Sequence, residues 1–257
     1  MQFPPKNNTC AIMQPTYLPW LGYFDLIAQS KDFVFLDNVK FNKSSYHHQN
    51  KILSTNGAVL LSVPTHANKG RMDTLINEVR VDYSKNWKKK HLTSIEQSYR
   101  KAAYYDKIYP DVKRIISGNI QYLSELNIEL IKLFSSILSL DVNFHVASHI
   151  DVSAKDRVEK LVELCQKLQC DTYYSPLGSL DYLDTVDNRS LFSSANIDVY
   201  FQHFETVPYS QRREGFESHM SILDALMHCG PEGVRRLISQ GSHTIKFENI
   251  GSGNEDR

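Results

Sequence analysis

The chain has 257 residues, 41% of them hydrophobic, which is enough to bury the core of one large α/β domain. Lysine plus arginine equals aspartate plus glutamate at 29 each, so overall charge gives no reason to expect a nucleic-acid partner. Residues 1–8 lack a leader pattern and no apolar run reaches membrane-spanning length, so we expect a cytoplasmic protein without a membrane span. The four scattered cysteines and the ten histidines predict neither a disulfide framework nor a metal site.

The first elements in chain order are a strand, a turn, a helix and a second strand. Residues 9–14 form a short apolar run, residues 20–29 have a helical pattern, and residues 32–37 are rich in β-formers. Because parallel strands need a crossover between them, a short helix in this position predicts a parallel pair.

A β-hairpin is predicted after the second strand. Residues 51–54 and 58–63 flank the dipeptide Asn56-Gly57, which accepts the positive φ of a tight turn. Residues 76–82 alternate between apolar and polar side chains, and we expect them to pair beside this hairpin.

Residues 84–140 follow a helical pattern and predict an insert of three helices. We expect Pro110 to interrupt the second helix and Gly118 to separate it from the third. The third helix has the most regular apolar face, beginning at Leu123.

The α/β pattern resumes after the insert, with three strands predicted over residues 142–147, 171–175 and 197–204. Ser153 and Asp156 have capping-box spacing before an amphipathic helix. A last helix is predicted to stop at Gly230, and Pro231 is suited to start a short final one.

These elements predict an α/β fold with one doubly wound, mostly parallel sheet, an added β-hairpin and a helical insert. In such a sheet, ligands bind at the carboxyl ends of the strands, and each half offers a strand-end loop to one crevice. The predicted divisions are an N-terminal α/β half, a helical insert, a C-terminal α/β half and a flexible tail, over residues 1–83, 84–140, 141–247 and 248–257.

The loop after the first strand is rich in rigid and polar-tipped side chains. Gln14 ends the strand with an amide that both donates and accepts hydrogen bonds. Tyr17, Trp20 and Tyr23 are suited to stacking on a sugar or base, and Gly22 allows a backbone or ligand to approach closely. We interpret this segment as a substrate-binding loop; the alternative is a rigid aromatic corner that fills the core.

Polar residues after the second strand are further candidates. Asp37 ends that strand, at the same sheet edge as Gln14, and is suited to bind a sugar hydroxyl or to act as a general base. Asn50 and Lys51 follow a basic loop and are suited to grip a phosphate or carboxylate. The alternatives are a turn cap for Asp37 and a solvated loop for the others.

The C-terminal half repeats this arrangement. Ser175 ends a strand, and Ser179 and Tyr182 open a short helix, where hydroxyl groups bind phosphate or carboxylate. Gln211 and Asp224 are polar candidates near the last helix, and a buried hydrogen-bonded role for Asp224 is the alternative. The segment is not the G-x-S-x-G elbow of serine hydrolases.

The chain resembles the WbqC-like family of bacterial proteins over roughly residues 9–237. The resemblance is carried by the segments Gln14-Pro-x-Tyr17-Leu-Pro-Trp20-x-Gly22-Tyr23-Phe-Asp25, Val34-Phe-Leu-Asp37-x-Val39, Asn50-Lys51-Ile, Leu61-Ser-Val-Pro64, Trp87-x-Lys89-Lys90-His91, Tyr174-Ser175-Pro176, Tyr209-x-Gln211 and Ser221-Ile-Leu-Asp224. Gln49 stands where the family pattern leads us to expect an arginine.

The resemblance implies a role in bacterial surface polysaccharide (O-antigen type) biosynthesis, as an acyl or aminoacyl transferase acting on a nucleotide-linked amino sugar. The partners would be that small-molecule substrate and an activated acyl donor, and Asp37 would serve as the base. Two alternatives stay open: a non-catalytic nucleotide-sugar binding or assembly protein, and an ATP-dependent adenylate-forming ligase with a degenerate nucleotide loop. No cofactor is identified.

Overall fold

The structure, a computed structural model, describes residues 6–42, 44–66 and 73–247. Ten strands lie in this part of the chain: β1 (Thr9–Met13), β2 (Asp32–Phe35), β3 (Gln49–Ser54), β4 (Gly57–Ser62), β5 (Thr65–His66), β6 (Arg80–Val81), β7 (Asn143–Val146), β8 (Thr172–Pro176), β9 (Asp198–Phe204) and β10 (Ser242–Lys246). The helices described are α1 (Leu21–Gln29), α2 (Trp87–Tyr99), α3 (Tyr105–Ser117), α4 (Leu123–Ile137), α5 (Arg157–Lys167), α6 (Leu180–Leu183), α7 (Val186–Ser194) and α8 (Ile222–Gly241).

The main sheet has six strands in the order β10-β9-β8-β1-β2-β7. Every neighbouring pair is parallel except β9 and β10, so the prediction of a doubly wound, mostly parallel α/β sheet is confirmed. The chain runs outward from β1 to β2 and β7, then returns to place β8 on the other side of β1. The strand order therefore reverses between β1 and β8, which is where such sheets bind ligands.

Helices cover both faces of the sheet because successive strand residues point to opposite sides. On β1, Ala11 belongs to the core that includes α1, α4 and α8, whereas Cys10 and Ile12 belong to the core with α5. On β2, Phe33 faces the first core and Val34 the second. Strands buried on both faces explain the continuous apolar runs in the sequence.

The segment between β2 and β7 holds the predicted hairpin (β3 and β4) and the three predicted helices α2, α3 and α4. Their buried side chains share the core of α1, including Ile52 of the hairpin and Phe134 of α4. Asn127 of α4 donates hydrogen bonds to the carbonyls of Pro15 (3.1 Å) and His47 (2.7 Å). The insert therefore fixes the loop that follows β1.

Several local predictions were wrong. Residues 76–82 do not pair with the hairpin, since a 3-10 turn (Ile76–Glu78) precedes β6, which pairs with β5. Pro110 lies inside α3 without ending it, because an exposed proline in the second turn forfeits only one helical hydrogen bond. The N-cap of α5 is Asp156, whose carboxylate accepts from the amides of Val158 and Glu159.

Two elements of the C-terminal half were missed and one was predicted in part. The sequence gives β10 and α7 too little apolar periodicity to stand out, since β10 is a half-exposed edge strand. The last helix does break at Gly230, whose φ of 66° bends α8 before it continues. Residues 248–257, predicted as a tail, lie outside the described residues. The division into two halves and an insert stays a prediction.

Candidate functional site

A cavity of about 280 Å³ opens at the reversal point, between the carboxyl ends of β1 and β8. We call it the switch-point cavity; its lining residues are Ile12, Met13, Gln14, Leu36, Arg157, Leu161, Tyr173, Pro176, Gly178, Ser179 and Tyr182. A larger hollow of about 490 Å³ lies against the outer side of α5, away from the strand ends. We place the candidate site in the switch-point cavity because the fold concentrates strand ends and a helix N-terminus there.

Arg157 supplies the positive charge of this cavity, and sequence reasoning missed it. It is the first residue of α5, and its guanidinium carbon lies 3.5 Å from the centroid of the Tyr182 ring. Within the part of the chain that the structure describes, it forms no ion pair. Burial raises the pKa of Tyr182, while the charge of Arg157 opposes this, so the phenol stays neutral and able to donate. A guanidinium beside a helix N-terminus is suited to an anion.

Ser179 lies on the cavity wall, with Ser175 buried behind it. Their hydroxyl oxygens are 2.5 Å apart, and Ser179 donates to the carbonyl of Pro176 at 2.7 Å. Ser175 donates in turn to the hydroxyl of Tyr173 at 3.1 Å. Ser179 is therefore the serine able to meet a ligand, and Ser175 orients it.

Tyr17 and Tyr23, predicted to bind substrate, are buried and hydrogen-bonded within the protein. The hydroxyl of Tyr17 lies 2.9 Å from Nδ1 of His91 on α2, and Tyr17 lines none of these cavities. The hydroxyl of Tyr23 donates to the carbonyl of Gln14 at 3.0 Å. This bond holds the end of β1, so that the Gln14 side chain reaches the switch-point cavity.

Gly22 has a different role from the close approach by a ligand that we expected. A Cβ atom at position 22 would lie 2.4 Å from the Cζ2 atom of Trp20. The indole of Trp20 already occupies this space, so only glycine fits at position 22. Trp20 also packs edge-to-face against Phe204, with centroids 5.4 Å apart.

A second cavity of about 280 Å³ lies on the other side of this loop; we call it the Trp20 cavity. Its lining residues are Met13, Thr16, Pro19, Trp20, Tyr23, Tyr46, Asn50 and His219. Met13, the last residue of β1, lines both cavities, so they are neighbours across one side chain. His219 was missed because an isolated histidine in a polar loop carries no sequence signal.

Asn50 and Lys51 are consecutive residues of β3, so their side chains point to opposite faces of the strand. Asn50 is buried, donates to the carbonyl of Leu18 at 2.7 Å, and accepts from the amide of Lys51 at 2.8 Å. Leu18 has a φ of 45°, a left-handed conformation that is costly for a branched side chain. Asn50 thus stabilises the strained loop, while the Lys51 side chain is exposed and lines neither cavity.

Asp37 lines a third cavity, together with Asn77 and Ser148, and not the one that Gln14 lines. Its carboxylate accepts from the amide (2.9 Å) and the hydroxyl (2.6 Å) of Ser148, which follows β7. The two strand ends are neighbours, but the structure gives these side chains separate cavities. A role for Asp37 as a base stays a prediction.

Gln211 and Asp224 belong to a buried polar network. The fully buried Asp224 carboxylate accepts from the hydroxyls of Tyr99 (2.9 Å) and Tyr209 (2.7 Å) and from the Gln211 amide (2.8 Å). Gln211 also accepts from the amide of Glu217 at 2.8 Å. This network anchors the loop that carries His219.

The described residues show neither a metal-binding cluster nor a membrane-spanning helix. No group of three or more histidine, cysteine, aspartate or glutamate side chains there is arranged to hold a metal ion. None of the described helices combines the length and apolar character needed to cross a bilayer.

The sheet order and the cavities define a doubly wound α/β protein with a cavity at its topological switch point. The profile of the WbqC-like protein family matches residues 14–236, and the chain belongs to that family. The Uncharacterized protein Rv1507c of Mycobacterium tuberculosis (strain ATCC 25618 / H37Rv) is 32% identical over 225 residues, which cover 86% of this chain and 94% of the relative. No solved structure matches the chain significantly.

Proposed function

We propose that this protein is an acyl or aminoacyl transferase acting on a nucleotide-linked amino sugar in bacterial surface polysaccharide biosynthesis. The observation that carries the proposal is the switch-point cavity, which Arg157, Ser179 and Gln14 line together. A diphosphate needs a cation and hydrogen-bond donors, and a sugar needs groups that both donate and accept. The cavity volume of about 280 Å³ suits the diphosphate and sugar rather than a whole nucleotide sugar.

Each polar side chain has a role in this proposal. Arg157 binds the diphosphate, held in place by its stack on Tyr182. The Ser179 hydroxyl, which donates to the carbonyl of Pro176, accepts from a sugar hydroxyl group, and Gln14 binds sugar hydroxyl groups. Asp37 remains a candidate base, which Asp37→Asn tests: loss of turnover with binding intact supports it, and full activity excludes it.

The experiment is a calorimetric titration with a uridine-diphosphate amino sugar. Arg157→Gln should weaken binding about 10- to 100-fold, since a charge-assisted hydrogen bond contributes about 1.5–3 kcal/mol. Arg236→Gln removes the same charge from an exposed position on α8 and should bind like wild type. Equal affinity in the Arg157 variant would show that the diphosphate does not bind here.

Turnover separates the transferase from its alternatives. The non-catalytic binder is favoured by one observation: Asp37 and Ser175 are both already hydrogen-bonded within the protein. It predicts the same binding with no acylated product by mass spectrometry. Pyrophosphate release from ATP and magnesium would identify the adenylate-forming ligase instead.

A further inference from the structure

The lining of the Trp20 cavity differs in chemistry from that of the switch-point cavity. Met13, Pro19 and Trp20 supply apolar walls, and its described lining contains no lysine, arginine, aspartate or glutamate. Such a cavity binds an uncharged, largely apolar group more readily than a phosphate. Because Met13 also lines the switch-point cavity, the two cavities are neighbours at the end of β1, with this side chain between them.

His219 is the histidine in the lining of this cavity, and its backbone is unusual. Its φ of 58° is left-handed, which is rare for a residue other than glycine and recurs at functional sites. The ring lies 5.0 Å from the ring of Trp20 at an interplanar angle of 31°. Nδ1 is 2.8 Å from the hydroxyl of Ser218. In the tautomer that donates from Nδ1, Nε2 is the proton acceptor.

The loop holds His219 in this conformation from both sides. After His219, the backbone amide of Ser221 donates to the carbonyl of Lys51 (2.8 Å), and the backbone amide of Ile222 donates to the carbonyl of Pro19 (2.7 Å). Before it, Gln211 holds Glu217 and is itself bonded to buried Asp224. Anchors on both sides offset the cost of the left-handed residue.

We propose that the Trp20 cavity binds the acyl end of a thioester donor and that His219, which lines this cavity as Asp37 does not, is the general base of transfer in place of Asp37; this rests on the proposed function. The neutral amino group of the sugar attacks the acyl carbonyl carbon. A C–N bond forms, the C–S bond breaks, and the thiolate leaves. The proton lost by nitrogen passes to Nε2 of His219 and then to the thiolate, so the products are an amide and a thiol.

Fluorescence tests the cavity independently of turnover. The chain has two tryptophans, of which Trp87 is only 3% exposed. Because Trp87→Phe removes one of the two, Trp20 is the reporter in that background. Butyryl-pantetheine should cause a saturable change in Trp20 emission that persists in Arg157→Gln. No change, with the nucleotide amino sugar still binding by calorimetry, overturns this inference and leaves the proposed function standing. Failure of the nucleotide amino sugar to bind overturns the proposed function instead.

Kinetics tests the base. Asparagine tolerates left-handed φ, so His219→Asn keeps the backbone while removing the proton acceptor. With butyryl-pantetheine and the nucleotide amino sugar, kcat should fall at least about 100-fold, KM should change less than about twofold, and the acidic limb of the pH profile should disappear. Gln169→Asn, at a φ of 57° outside the cavity, is the matched control and should be fully active. An unchanged kcat or pH profile in His219→Asn, or no wild-type product while both ligands bind, overturns the role of His219.

Discussion

The loops after β1 and β8 have similar sequences but different structural roles. Both follow a buried strand and combine proline, glycine and hydroxyl-bearing residues. In the first loop, Tyr17 and Tyr23 are buried and bonded within the protein. In the second, Gly178, Ser179 and Tyr182 line the switch-point cavity. In the first loop the hydroxyl groups of the tyrosines hold the structure together while Gln14 and Trp20 line cavities, whereas in the second loop the serine and tyrosine themselves line the switch-point cavity.

The reason lies in what covers each loop. The insert packs over the first, through His91 of α2, Asn127 of α4 and Asn50 of the hairpin. Beside the second loop, α5 begins at the switch-point cavity, so its first residue, Arg157, lines that cavity. The comparison therefore predicts that substitution of the buried Tyr17 in the first loop mainly affects folding, whereas substitution of the cavity-lining Tyr182 in the second mainly affects binding.

The largest difference should separate Tyr17→Ala from Tyr182→Ala. Tyr17 is fully buried, so its removal leaves a cavity and should lower the free energy of unfolding by about 3–5 kcal/mol. Tyr182 is partly exposed, and its removal should cost about 1 kcal/mol while weakening nucleotide-sugar binding. Urea denaturation and calorimetry measure the two effects. Equal stability losses would break the comparison.

Stability should fall on acidification, because burial keeps His47 and His91 neutral. Burial, with a smaller effect of His48, lowers the pKa of His47 to about 4, and burial lowers that of His91 to about 4, from 6.5. The unfolded chain takes up these protons first, so stability is complete above pH 6.5 and is lost as pH falls to about 4, by up to about 3 kcal/mol per histidine.

Urea denaturation between pH 7.5 and 4.5 measures this dependence, and His91→Gln should reduce it by about half. Glutamine does not titrate but keeps a polar partner for Tyr17. The difference between variant and wild type isolates the histidine, since Asp25, whose pKa burial raises, is common to both. An unchanged slope in the variant would show that His91 is not held neutral.

Two glycines give a smaller contrast. Gly22→Ala places a methyl group against the indole of Trp20 and should cost about 1–3 kcal/mol while shifting Trp20 emission. Gly178→Ala meets no atom within 4 Å and should leave stability unchanged. Thermal denaturation with fluorescence distinguishes them. A tolerated Gly22→Ala would mean that the indole is free to move.

The smallest effect concerns the strained turn of the first loop. Asn50→Ala removes the donor to the carbonyl of Leu18 without adding a charge, and should cost about 1–2 kcal/mol. Asn56→Ala, in the exposed hairpin turn, is the control and should cost less than about 0.5 kcal/mol. Equal losses of stability for the two variants in urea denaturation would show that the hydrogen bond from Asn50 does not stabilise the left-handed conformation of Leu18.

The sequence by itself determined the element order, the parallel sheet, the hairpin and the helical insert. Apolar runs, helical periodicity and Asn56-Gly57 are local signals, and local signals suffice to form elements. It also placed Gln14 at a strand end and Ser179 and Tyr182 at the start of a short helix after another strand, and the fold brings all three to one cavity. The edge strand β10 was missed because its mostly polar sequence shows little alternation of apolar and polar residues. The pairing of β6 was missed because a strand of two residues is too short to show any alternation.

Only the tertiary structure decided which polar side chains are available to a ligand. Tyr17, Gln211 and Asp37 have the residue types of a binding site, yet each is bonded to a partner distant in sequence or across a loop. Arg157 and His219 carry no local signal, and they reach the cavities through the start of α5 and an anchored loop. Hydrogen bonds are satisfied by neighbours in space, so availability is a property of packing that no spacing along the chain encodes.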